Sequence, residues 1–132
     1  EQLFHAPGTE AAARLSGCKN YAAAVPGGTA VLLPEWGIAL DCGRVVPQET
    51  TTVGIRSHSV HPAEPGTSNV FACTVVRVID DVFAVIVLLR PAGAGAEAPL
   101  LRMELEKAAW AALPDKARLT VSVAPEDLLL LK

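Results

Sequence analysis

Read along the chain, the alternation of apolar and polar positions changes character several times, and each change predicts an element. Residues 9–15, "TEAAARL", carry helix formers behind a possible N-cap Thr9, and Ser16-Gly17 can end that helix. From Asn20 the period shortens. "NYAAAV", "TAVLL" and "IAL" read as short strands separated by Pro- and Gly-bearing turns. "TTVGIRSHSV", 51–60, predicts one strand, with Val53, Ile55, Ser57 and Ser59 on one face and Gly54, Arg56, His58 and Val60 on the other. "HPAEPGTS", 61–68, is rich in turn formers and divides the chain.

Beyond it, "VFACTVVRVI", 70–79, and "VFAVIVLLR", 82–90, predict a hairpin turning at Asp80-Asp81. The second of these strands is apolar on both faces, as a central, doubly covered strand is. "PAGAGAEAP", 91–99, predicts a mobile loop. "LLRMEL" then reads as a strand, "EKAAWAAL" as a short helix stopped by Pro114, "ARLTVSVAP" as a strand and "EDLLLL" as a closing turn or edge.

The two halves echo one another. Asn20 and Asn69 stand 49 positions apart and each leads into an apolar strand, whereas Thr52 of "TVGIRSHSVHP" matches Thr120 of "TVSVAPEDLLL" at a spacing of 68. The extra 19 residues of the second half hold the "PAGAGAEAP" loop and the "EKAAWAAL" helix. A doubled set of short strands predicts an all-β fold with short helices, built as tandem small OB-like barrel lobes. The divisions are 1–19 as linker and helix, 20–64 as the first lobe and 65–132 as the second, packed together as one unit.

Composition narrows the function. With 51% hydrophobic but only 5% aromatic residues and a mean hydropathy of +0.35, the core is built from aliphatic side chains. A net charge of −3 opposes a surface that gains affinity by neutralising phosphates, so nucleic acid is not an expected partner. The longest apolar run is far shorter than the roughly 20 residues of a membrane-spanning helix. Cys18, Cys42 and Cys73 form no C-x-x-C pair, and with His58 and His61 they match no zinc spacing, so buried, reduced thiols are expected and no metal. Ser57, His58 and Asp41 could supply the residue types of a hydrolytic triad, but no G-x-S-x-G elbow surrounds any serine. No G-x-x-x-x-G-K-[ST] loop is present to cradle ATP. The expectation is a non-catalytic chain.

"EQLFHAPGTEAAARLSGCKN", "VGIRSHSVHPA" and "NVFACTVVRVIDDVF" together resemble the C-terminal TOBE/Mop-type accessory region of ATP-binding-cassette import ATPases of the molybdate and tungstate type. The first phrase is similar to the segment that leaves the nucleotide-binding domain. "GIRSHSV" is similar to the family's closing "G-I-R-P-E" strand, with Ser57-His58 in place of Pro-Glu. The resemblance implies tandem OB-like barrels that dimerise, and tetrahedral oxyanion ligands, molybdate or tungstate, held through a "T-S-A-R-N" phrase. It implies a regulatory, oxyanion-sensing role, with partners in the chain's own nucleotide-binding domain, a second copy and the transporter's membrane subunits. The implied location is cytoplasmic, at the inner membrane. The alternative is a structural module that dimerises the ATPase and takes no small ligand.

On this resemblance the candidate oxyanion-binding residues are Ser16, Gly17, Cys18, Lys19 and Asn20 in the first copy, and Thr67, Ser68 and Asn69, after Gly66, in the second. Lys19 takes the basic position, and Ser68 stands where its counterpart would be. The residues alone leave two readings open. Successive N–H groups in a Ser-Gly-x-Lys turn can make an anion nest that an ammonium reinforces. Equally, Ser16-Gly17 can be a helix C-cap, Lys19 a solvated side chain and Asn20 a turn former.

Overall fold

The structure is a computed structural model that describes Thr9 and residues 18–132. The helix expected over 9–15 and the Ser16-Gly17 turn lie outside the described residues. The first half forms β1 (Asn20–Ala23), β2 (Val25–Gly27), β3 (Ala30–Leu33), β4 (Ile38–Asp41), β5 (Thr52–Ile55) and β6 (His61–Pro62). The second forms β7 (Val70–Asp80), β8 (Val85–Pro91), β9 (Leu101–Leu105), the helix α1 (Lys107–Ala111), β10 (Arg118–Ser122) and β11 (Leu129–Leu131). Three sheets result, ordered β1-β5-β11, β2-β3-β4 and β6-β10-β7-β8-β9. This is the all-β, OB-like architecture that the strand pattern predicts.

The halves are interleaved. β11, the last strand of the second half, pairs with β5 of the first, and β6, the last strand of the first, pairs with β10 of the second. The register carries the repeat to single-residue accuracy. Asn20 lies opposite Ile55, and shifting the two by 49 and 68 gives Asn69 and Val123, one step along the same ladder that sets Val70 opposite Ser122. The β1-β5-β11 sheet and the β7-β10-β6 part of the large sheet are therefore two copies of one arrangement.

Two stretches depart from the expected strands for local reasons. β5 stops at Ile55 and the chain turns through a 3-10 helix, Ser57–Ser59, with Ser59 N–H bonded to Arg56 C=O at 2.9 Å. The matching stretch after β10 does the same through Pro125–Asp127, where Pro125 starts the turn. The single strand expected over 51–60 is thus corrected to a strand and a 3-10 turn, with β6 following at His61. β8 likewise starts at Val85 rather than Val82. Asp81 accepts the Val82 N–H on its carboxylate at 2.8 Å and gives its own N–H to Ala84 C=O at 2.9 Å, a local closure that puts Val82 and Phe83 in the hairpin turn. β7 meets both β10 and β8, and a bulge between Val75 and Arg77 supplies the twist needed to serve both. In the first half the corresponding run is broken at Ala24, whose N–H bonds Thr51 C=O at 2.9 Å.

One aliphatic core runs through both halves. Val31, Leu33, Leu40 and Ile55 from the first pack in the same cluster as Val87, Leu101, Met103 and Val121 from the second. Trp36, in the β3–β4 turn, is 1% exposed and donates its indole N–H to Pro99 C=O at 2.7 Å. That bond, with Gly95 N–H on Glu35 C=O at 3.3 Å, holds the 91–99 segment onto the equivalent turn of the first half. The expected mobile loop is an anchored one. The contact depends on glycine on both sides: a Cβ on Gly37 would lie 2.5 Å from Gly93 C=O.

Candidate functional site

The two candidate phrases each begin a strand, β1 and β7, and so stand at matching places in different sheets. Of the first phrase, Ser16 and Gly17 lie outside the described residues. Cys18 is buried and packs with Leu131, Tyr21 and Leu129, and its carbonyl accepts the Tyr21 hydroxyl at 2.8 Å. Its sulfur sits against β5, 3.0 Å from where a Cβ on Gly54 would be, so Gly54 makes the room Cys18 fills. Lys19 is exposed between two buried neighbours, with its ammonium at the surface beside the β1–β5 ladder.

Asn20 is 3% exposed, and both the oxygen and the nitrogen of its amide are hydrogen-bonded. Nδ2 donates to Arg102 C=O at 2.8 Å, and Oδ1 accepts Arg102 N–H at 2.7 Å. The side chain thus acts as one more peptide unit, pairing the start of the first half to β9 of the second. Asn69 mirrors it: Oδ1 accepts Asp41 N–H at 2.8 Å, and Nδ2 donates to Asp41 C=O at 2.9 Å and to Val123 C=O at 3.1 Å. Its φ of 53° falls in the left-handed region, which asparagine tolerates better than most residues. The two asparagines therefore cross-clamp the halves, Asn20 to the second and Asn69 to the first. Nothing in the local sequence pattern identified Arg102 and Asp41 as their partners; the one signal was the pair of asparagines itself, at the head of matched strands.

Thr67 and Ser68 are exposed. The Thr67 hydroxyl donates to Glu64 C=O at 2.7 Å, and its N–H bonds the same carbonyl at 3.1 Å, closing the turn that precedes β7. Both residues line a groove of about 770 Å³ together with Glu64, Ser122 and Glu126. Among the described residues no lysine or arginine lines it. The electrostatics of the two copies are thus opposite, with a cation at the first and carboxylates at the second. A basic residue that the sequence did not single out, Arg44, joins the halves elsewhere: its guanidinium donates to Cys42 C=O at 3.1 Å and to Leu128 C=O at 2.8 Å.

All three cysteines are buried, unpaired thiols. Burial pushes the Cys73 thiol up to about 12. It also raises Cys42, against the opposing pull of Arg44. Cys42 and Cys73 are thus held as protonated thiols that serve packing.

Curled sheets, a repeated strand, 3-10 turn and strand unit, and final strands lent between halves define a tandem OB-like β-barrel protein. No protein-family model matches the sequence, and no match was found among curated proteins. Among solved structures, the molybdate-bound form of ModG, a cytoplasmic molybdate-binding protein described as binding cooperatively, is similar over 87% of this chain and 97% of that chain, with a TM-score of 0.66. The two share 12% sequence identity, a level at which the likeness is one of fold.

Proposed function

We propose that this chain is an oxyanion-binding module, selective for molybdate- or tungstate-type dianions, that serves as the regulatory C-terminal part of an ABC import ATPase subunit. The observation that carries the reading is the fold. Nearly the whole chain shares its architecture with a molybdate-binding protein, and the asparagine that closes each candidate phrase opens β1 or immediately precedes β7. The unit is read as a linker over 1–19 and two lobes, 20–64 and 65–132.

The site is centred on the first copy. A dianion is held there by the Lys19 ammonium, with hydroxyl and backbone N–H donors from Ser16 to Cys18. Asn20 and Asn69 position the strands rather than touch the ligand, since their amides are used on Arg102 and Asp41. Sensing requires that one arrangement of the halves, or of two copies, bind the anion more tightly than the other. The partners of this reading are the nucleotide-binding domain, a second copy and the membrane subunits, on the cytoplasmic side of the inner membrane.

Titration calorimetry with molybdate, tungstate and sulfate tests it. Heat is expected for the first two and is lost in Lys19→Ala, which, being exposed, leaves the fold intact. A folded chain that gives no heat with any of the three refutes the reading. One observation favours a second reading, a purely structural dimerisation module: Val82 and Phe83 project from the β7–β8 turn at 74% and 90% exposure, an apolar tip suited to burial against another surface. That module would dimerise equally well with and without oxyanion.

A further inference from the structure

We propose that the groove beside α1 is a second ligand site, independent of the oxyanion reading, and that it takes small amphipathic cations: an ammonium group carried on a compact apolar body. Its volume, about 770 Å³, lies in the range of small-molecule sites. Its walls are apolar, formed by Pro62, Leu105, Leu113 and Ala124, with the small side chains of Ala109 and Ala112 leaving the helix side open. α1 belongs to the insertion that the first half lacks, so the groove is a feature of the second copy alone.

Its polar groups all suit a cation. Among the described residues its charged side chains are Glu64 and Glu126, neither of them ion-paired, and His61 adds an imidazole that can accept a hydrogen bond. Ser122 adds an uncommitted hydroxyl to the lining. It lines the groove at 4% exposure, and among the described residues its hydroxyl has no hydrogen-bond partner. Its hydroxyl opens onto the groove, where a ligand donor or acceptor can reach it. At the matching place in the first copy stands Gly54, with the Cys18 sulfur and Leu131 filling the space a side chain would need. The two copies have thus diverged: the first has a cation and no free volume against β5, the second has volume, a groove-lining hydroxyl and two carboxylates. Thr67 and Ser68, placed in this negative groove, face charges that repel a dianion.

The experiment is an amide NMR titration of the whole chain with 2-phenylethylammonium. Parallel titrations use 2-phenylethanol, of similar shape and neutral, and 3-phenylpropionate, of opposite charge. Saturable shifts at Ala109, Ala112, Ser122 and Glu126 are expected for the ammonium. Affinity falls about tenfold for the alcohol and for the doubly substituted Glu64→Gln, Glu126→Gln chain, in keeping with loss of a charge-assisted contact. Both glutamates are exposed, so the substituted chain folds, and its unshifted core resonances verify this. The proposal is overturned if no shift saturates up to tens of millimolar, if 3-phenylpropionate binds as tightly as the ammonium, or if the double substitution leaves affinity unchanged. It is overturned equally if the same residues shift with protein concentration alone, which would make the groove a contact between copies. Binding of molybdate elsewhere, or its failure, leaves each of these outcomes unaltered.

Discussion

Replacing Gly37 with alanine tests how tightly the two halves are joined at their β3–β4 and β8–β9 turns. Gly37 has a φ of 65°, and a Cβ there would lie 2.5 Å from the oxygen, 3.0 Å from the carbonyl carbon and 3.1 Å from the Cα of Gly93. These are backbone atoms, so no rotamer change relieves the overlap; the 91–99 segment must move. Left-handed backbone in alanine costs roughly 1–2 kcal/mol, and forcing extra volume into a packed contact about 1–3 kcal/mol. Reduced freedom of the unfolded chain returns about 0.4–1 kcal/mol. The net loss is about 1–5 kcal/mol. Gly28 is the internal control: its φ is 73° and nothing lies within 4 Å of the added carbon, so Gly28→Ala carries the backbone cost alone. Urea denaturation of the two variants with an unchanged m-value gives the difference directly, and the Trp36 indole N–H resonance should shift in Gly37→Ala as its bond to Pro99 lengthens. If Gly37→Ala is no less stable than Gly28→Ala, the turns do not bear on each other as described and the anchored-loop interpretation fails.

The asparagine clamps make a second test. Asn20→Ala leaves the N–H and C=O of Arg102 without their partner and should cost about 2–3 kcal/mol; a loss below about 0.5 kcal/mol would mean that water replaces the amide freely. Asn69→Ala loses the bonds to Asp41 and Val123 and adds the cost of its φ of 53°, so Asn69→Gly, which loses only the bonds, should be the more stable of the two by about 1 kcal/mol. Alkaline denaturation probes Cys73. An unfolded thiol ionises near 9.0, whereas burial holds Cys73 up at about 12. The unfolded chain therefore releases a proton that the native state keeps. The contribution is complete below about pH 9 and is lost as pH rises toward 12. Cys73→Val should flatten that decline in urea melts taken across this window, and an unchanged slope would count against ionisation as its cause.

The sequence makes some of this architecture legible and hides the rest, and the difference is one of range. The alternation in 70–79 places Phe71 and Cys73 inward because a strand's period is a local property, and the double apolar face of 82–90 marks β8 as central, with β7 on one side and β9 on the other. The repeat could be read from the spacings of Asn20 to Asn69 and Thr52 to Thr120 because both copies keep the same register. What the pattern does not contain is the identity of the covering segment. "EDLLLL" is apolar whether it closes its own half or the other, and only the pairing of Leu129–Leu131 with Thr52–Gly54 decides it. The 3-10 turns were hidden for a related reason: Ser57 and Ser59 sit at inward positions of the extrapolated strand and are buried, yet through a turn rather than an extension. The site residues were legible as a motif and not as roles. Asn20 and Asn69 look like ligand groups beside Lys19 and Ser68, and a distant backbone partner, 82 positions away for Asn20, claims the first amide.

The interleaving has a consequence for how either ligand could be felt elsewhere in the molecule. Each half contributes the edge strand of the other, each Asn clamp crosses between halves, and Arg44 reaches from the β4–β5 segment to the carbonyl of Leu128, just before β11. Lys19 is covalently adjacent to Asn20, so whatever moves the start of β1 acts on β9 through two hydrogen bonds of 2.7 and 2.8 Å. β9 ends at Leu105, a wall of the groove, and α1 follows two residues later. The two proposed sites thus adjoin the two ends of a single strand. Two independent barrels would have no such shared element, and their sites would be coupled only through whatever surface they happened to bury. Here β9 is hydrogen-bonded to Asn20 of the first copy and to β8 of the second, a direct physical connection between them.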